Sequence, residues 1–238
     1  MANHKYLIDR RGLLKIASAG FVGLAANAVN LWVYLKQAQA AELATRSSSS
    51  LTPDAALQTL MKGNQRFVQH QPQYPDQSEL RLKEVAQAQH PFVTVLSCAD
   101  SRVPPEILFD QGVGDIFDVR IAGNIATSEA LGSIEYAIEL LGSPLLMVLG
   151  HERCGAVTAA VKNETLPGDI GTFVTAILPA VERAKEQAGD AVDNAVTSNV
   201  RYQIDQLKRS PLLMARLKSG KLKIVGGRYD LDTGLVTL

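Results

Sequence analysis

Three β-rich apolar runs, at 92–97, 115–121 and 144–149, are separated by stretches of helical pattern. Continuous apolar strands alternating with helices argue for a parallel sheet covered on both faces. Between the second and third runs, 128–141 places Leu131, Ile134, Ile138 and Leu141 on one helical face. Further helices are expected over 172–187, with Pro179 as a kink or break, and over 191–207 and 211–218. A fourth strand is expected at 222–226. The segment Asp230-Leu231-Asp232-Thr233-Gly234 then turns into a last short strand. The fold class is therefore α/β, a central mostly parallel sheet flanked by helices.

The first and third runs end in reactive words. Cys98-Ala99-Asp100-Ser101-Arg102 follows one, and His151-Glu152-Arg153-Cys154-Gly155 follows the other. Ligands bind at the carboxyl ends of strands in open parallel sheets, so the two words can converge. They contain both cysteines and one of the four histidines. Two thiolates and an imidazole are a zinc set, with the fourth position left open as in catalytic sites. Asp100 and Arg102 share the first word. In an extended chain residues 98, 100 and 102 point the same way, bringing Asp100 to the metal and Arg102 to its carboxylate as a bidentate partner. Without Arg102, Asp100 would be free to bind zinc and close the fourth position. Taken singly, Cys98 and His151 also read as core residues and Asp100–Arg102 as a structural ion pair. Jointly, five such residues in two strand-end words read as a metal centre.

The front of the chain reads differently. Residues 1–40 carry Lys5, Arg10, Arg11, Lys15 and Lys36 against Asp9, so a neutral chain divides into a front of +4 and a body of −4. A mildly acidic body gives no reason to expect nucleic-acid binding. Asp9-Arg10-Arg11-Gly12-Leu13-Leu14-Lys15 resembles a twin-arginine export signal. It is followed by an apolar run at 16–35 and a small-x-small site, Ala38-Gln39-Ala40. The expectation is export to the periplasm or an equivalent space. The alternative is an uncleaved anchor, since about twenty apolar residues are long enough to span a membrane. The domain reading is then a signal or anchor at 1–40, a polar linker at 41–50 and a catalytic domain at 51–238. Thr52-Pro53-Asp54 starts a helix, with Leu57, Leu60, Met61, Asn64 and Phe67 at helical spacing. That helix, with the proline-broken 71–75 segment after it, is expected to lie on a partner subunit.

Cys-Ala-Asp-Ser-Arg followed by Val103-Pro104-Pro105-Glu106, then Val119-Arg120-Ile121-Ala122-Gly123-Asn124, then His151-Glu152-Arg153-Cys154-Gly155 resembles the β-class carbonic anhydrases. The resemblance runs from about residue 54 to the C-terminus, including the ending Tyr229-Asp230-Leu231-Asp232-Thr233-Gly234. It implies reversible hydration of carbon dioxide to bicarbonate and a proton. It also implies one zinc per subunit on Cys98, His151 and Cys154, with an Asp100–Arg102 dyad orienting the zinc-bound hydroxide. Homodimers or larger homo-oligomers are implied, with the pocket near the interface. Gln89, Phe117 and Tyr136 fall where the plant-like subgroup lines its substrate pocket, and Gly155 joins them. The bicarbonate-inhibited subgroup carries Trp three residues before the first zinc cysteine, where this chain has Val95. The resemblance therefore favours the non-allosteric subgroup. Ile121 departs from an Asn common at that position and touches no assigned role. His90, beside Gln89, reads as a proton relay or as a solvated histidine. Hydrolysis of carbonyl sulfide or carbon disulfide, and a non-catalytic zinc protein, are the rival readings.

Overall fold

The computed structural model describes residues 51–238; the export-like segment, its apolar run and the linker lie outside the described residues. Helix α1 (Pro53–Val68) begins as expected. The Thr52 hydroxyl accepts from the Ala55 N–H at 3.2 Å, Pro53 occupies the first turn, and Asp54 complements the helix dipole. Next come α2 (Glu79–Val85), β1 (Val93–Ser97), α3 (Pro105–Leu108) and β2 (Ile116–Arg120). A 3₁₀ turn, Ala122–Asn124, leads into α4 (Ser128–Glu139), β3 (Leu145–His151) and α5 (Gly155–Val161). The chain closes with α6 (Gly171–Ala184), α7 (Ala191–Leu207), α8 (Pro211–Lys218), β4 (Lys223–Tyr229) and β5 (Val236–Thr237).

The sheet order is β2-β1-β3-β4-β5, parallel except for the last pair. Alternation along the central strands explains the apolar runs. Val93, Val95, Leu145, Met147 and Leu149 face one layer, with Leu60 of α1 and Phe109. Leu96, Leu146 and Val148 face the other, with Ile134 of α4 and Val200 of α7. Each such side chain, taken wholly out of water, contributes about 1.5–3 kcal/mol.

Four local expectations change. Helix α2 was not read from the sequence because it buries nothing. It is held by the Ser78 cap and by Arg81, which donates to Val113 O at 2.9 Å and pairs with Asp115 at 3.0 Å. Helix α6 runs through Pro179 without a break, with Ile177 and Ala180 buried on either side. Strand β4 runs on through Gly227 to Tyr229, beyond the end expected at 226. A Cβ at Gly226 would stand 2.6 Å from a Val200 methyl, so glycine is what lets α7 lie on the strand. Finally, α1 commits one face to its own domain. Asn64 there donates to Leu108 O and Gly234 O and accepts from Val236 N, all within 3.0 Å, so only the other face remains for a partner.

Candidate metal centre

Register brings the two words together. Ser97 lies opposite Leu149, so Cys98 emerges from β1 level with Gly150, one residue before His151 ends β3. Cys154 is the residue preceding α5. The ligand atoms of Cys98, His151 and Cys154 all lie within 4.8 Å of one another, and all three residues are buried. Neither cysteine is in a disulfide, and their sulfurs are 4.0 Å apart. Two thiolates tetrahedrally bound at about 2.3 Å would sit about 3.8 Å apart.

The donor set fits a dication on two further grounds. His151 Nδ1 is 2.8 Å from Glu152 O, and a carbonyl only accepts, so Nδ1 donates to it and Nε2 is the nitrogen left to face the cluster. That Nε2 is buried with no hydrogen-bond partner among the described residues, an arrangement that costs free energy unless something binds there. The cysteines tell the same story. Cys98 is pulled well below a normal thiol by Cys154 S–H, against the cost of burial, with help from His151 and from the Gly123 and Asp100 N–H groups. Cys154 is pushed up by that same bond, by burial and by the neighbouring charge. Ionisation of one thiol thus opposes that of the other, an opposition that a cation between the sulfurs would relieve.

Asp100 and Arg102 sit at the rim. Arg102 donates from Nε to Oδ1 at 2.9 Å and from Nη2 to Oδ2 at 2.7 Å, the expected bidentate pair. The geometry behind it differs from the extended chain assumed above. Arg102 N–H also donates to Asp100 Oδ1 at 2.9 Å, and Val103 N–H donates to Asp100 O, so the segment is a tight turn. Asp100 Oδ2 reaches to 3.8 Å from His151 Nε2. The Arg102 hydrogen bonds, against some burial, hold the Asp100 carboxyl down to about 2.

The proposed pocket residues do not converge on this cluster within one chain. Phe117 is opposite Thr94, four residues before Cys98, or about 13 Å back along the strand. Tyr136 packs against it with the rings tilted by 40° and their centroids 6.2 Å apart, and is 46% exposed. Gln89 and His90 are exposed ahead of β1, at the far end of the sheet. Gly155 is close to the metal cluster, and a Cβ there would meet open space.

Several residues the sequence reading quoted without a role turn out to hold the site. Arg120 donates from Nε to Cys98 O at 3.1 Å and from Nη2 to Asp100 O at 2.6 Å. Gly123 N–H donates to Cys98 Sγ at 3.3 Å. Glu152 and Arg153 serve the fold. Arg153 forks onto Asp232 at 2.9 and 2.7 Å, while Glu152 takes Arg228 at 2.7 Å and Leu231 N–H at 3.2 Å. They tie the second word to the C-terminal turn.

With this geometry in view, comparison with known proteins is direct. A family model described as carbonic anhydrase matches residues 93–236. Carbonic anhydrase 2 of Mycobacterium tuberculosis is 42% identical over 191 residues, covering 78% of this chain and 92% of that protein. The carbonic anhydrase of Mycolicibacterium smegmatis is 41% identical, covering 78% and 93%. Among solved structures, the Coccomyxa β-carbonic anhydrase in complex with acetazolamide superposes with a TM-score of 0.58 at 29% identity, covering 65% of this chain and 74% of that one. A tetrameric β-carbonic anhydrase of Sordaria macrospora shares the fold, with a TM-score of 0.61 at 22% identity, covering 66% and 84%. The chain is an enzyme of the carbonic anhydrase type. It belongs to the β-class carbonic anhydrase family.

Proposed function

We propose that this chain catalyses the reversible hydration of carbon dioxide to bicarbonate and a proton at a zinc ion held by Cys98, His151 and Cys154. The observation that carries the proposal is the buried cluster of two thiols and a bare His151 Nε2, with a charged carboxylate 3.8 Å away. Zinc in that cluster supplies Lewis acidity, which makes hydroxide available near neutral pH. The remaining work belongs to the chain. Asp100, kept ionised by Arg102, accepts a hydrogen bond from the nucleophile and so aims its lone pair at the carbon. Arg102 also ties the carboxylate away from the ligand set, keeping the fourth position open.

Gln89, Phe117 and Tyr136 act in this scheme as pocket residues for carbon dioxide, with Gln89 donating to a substrate oxygen. Far from the cluster in their own chain, they serve the centre of a second copy in this reading. The functional unit is then a homodimer or larger, and the outer face of α1 is available to hold it. Val95, fully buried in β1, supports assignment to the non-allosteric subgroup. Residues 51–238 form the catalytic domain. Residues 1–40 export it to the periplasm or an equivalent space, with 41–50 as a linker. Metal analysis and turnover test this reading together. One zinc per subunit, lost in Cys98→Ser, with carbon dioxide preferred over carbonyl sulfide and carbon disulfide, supports it. Zinc retention in Cys98→Ser, or preference for a sulfur analogue, contradicts it.

A further inference from the structure

Helix α7 takes no part in the chemistry above, yet its buried face is unusually polar: Ser198, Asn199 and Gln203 are all buried. Ser198 has an ordinary structural use, donating to Ala180 O at 2.7 Å and joining α7 to α6. The two amides do something else. Ala126 N–H donates to Gln203 Oε1 at 2.9 Å, and Gln203 Nε2 donates to Asn199 Oδ1 at 2.9 Å. Asn199 Nδ2 then donates to Gly123 O at 2.8 Å, and Gly123 N–H donates to Cys98 Sγ at 3.3 Å. Four hydrogen bonds therefore link Ala126, through Gln203 and Asn199 of α7 and across Gly123, to a cysteine of the cluster.

Packing alone does not account for it. Apolar residues of the same shape would fill this space but leave Gly123 O and Ala126 N–H without these partners, so what the two amides add is a hold on that loop. Gly123 is also held in the left-handed region, at φ 72° and ψ 19°. Its N–H and its carbonyl flank the same Cα, so gripping the carbonyl limits where the N–H can aim. Gln203 fixes the other end of this loop through Ala126. The helix can come close enough because two sheet positions under it are glycines. A Cβ at either Gly150 or Gly226 would stand 2.6 Å from a Val200 methyl.

We infer that Asn199 is a positioning residue for the metal centre, with Gln203 as its support: it holds the Gly123 amide on Cys98 Sγ. The inference rests on the reading of Cys98 as a metal ligand. An N–H donated to a thiolate spreads its charge, sets its direction, and lowers the energy of its lone pair. Outer partners of this kind typically change metal affinity by about 10–100-fold.

The test uses the full chain, zinc and Co(II) as probes, and three variants. Asn199→Leu removes the donor to Gly123 at similar volume, and Gln203→Met removes its support more gently. Ser198→Ala removes a buried side-chain-to-backbone bond from the same helix, away from the metal. Zinc affinity is measured by chelator competition on folded protein, and the sulfur-to-cobalt charge-transfer band is recorded. Asn199→Leu is expected to bind zinc at least about tenfold more weakly and to move the band to longer wavelength. Gln203→Met should shift both in the same direction by less, and Ser198→Ala should shift neither. If Asn199→Leu fails to fold, Gln203→Met decides alone: wild-type affinity and band in that variant overturn the inference. So does an unchanged Asn199→Leu, or a Ser198→Ala that loses zinc equally. A wild-type chain that takes up no stoichiometric zinc overturns the metal reading itself, which is a different result.

Discussion

Replacing Arg120 with Met should damage both the fold and the reaction, by amounts the structure sets. The guanidinium makes two hydrogen bonds to main-chain oxygens, at 3.1 Å to Cys98 and 2.6 Å to Asp100. Hydrogen bonds with one charged partner contribute about 1.5–3 kcal/mol each. Arg120 is only half-buried, so water recovers part of the loss and the lower figure applies to each bond, giving about 3 kcal/mol in total. In a domain of this size that lowers the melting temperature by about 6–12 °C. The same bonds fix the turn that carries Cys98 and Asp100. A slip of about 1 Å in a positioned catalytic group costs about 100-fold in rate. Arg120→Lys, with one donor able to reach, should lose about half the stability and less of the rate. The assays are thermal unfolding and stopped-flow hydration at matched zinc content. A Met variant that melts early but keeps kcat/KM within about threefold would show that Arg120 serves the fold and not the site. An unchanged melting temperature would show that the two bonds contribute nothing net.

Other outcomes follow from the same geometry. Burial, and next the charge of Glu106, raise Asp118 to about 6 from 3.8, so its folded form holds a proton that the unfolded form has lost between those values. Stability from this group therefore falls as pH rises from about 3.8 to 6 and is level above that. Asp118→Asn should gain about 2 kcal/mol in urea at pH 8, with the gain gone at pH 4; equal gains at both values would refute the assignment. Gly123→Ala forces a left-handed alanine, with its Cβ 2.5 Å from Ile177 Cδ1. It should cost about 2–5 kcal/mol by denaturant titration, and a loss under 1 kcal/mol would mean that the loop simply relaxes. His151→Ala and Tyr136→Ala subunits should each be nearly inactive alone and recover activity when mixed and allowed to exchange. Failure to recover in mixed oligomers would remove Tyr136 from the partner's pocket.

The Cys98–His151–Cys154 cluster and the sheet were legible because both rest on strong local signals. Apolar strands declare their own burial, and the two words sit directly at strand ends. What the sequence hid was set by distant contacts. Strand β4 carries glycine at 226 because α7 needs the space. Helix α2 exists through Arg81 and a cap without any buried face. Arg120 and Gly123 stood inside a quoted motif, but their partners lie some twenty residues back, at the end of the neighbouring strand. Asn199 gave only a faint signal, an amide on the apolar face of a helix. Phe117 and Tyr136 show the reverse case. The motif placed them in a pocket, and the fold of one chain places them far from its metal cluster.

The central claim is that Asp100, held by Arg102, does chemical work beside a metal it does not need to bind. Stopped-flow hydration of carbon dioxide, comparing the wild type with Asp100→Ala at equal zinc content, tests it most directly. The account predicts rapid hydration by the wild type and a loss of at least about 100-fold in kcat for the variant, with most of its zinc retained. Full activity in Asp100→Ala, or no hydration by the zinc-loaded wild type, would contradict it.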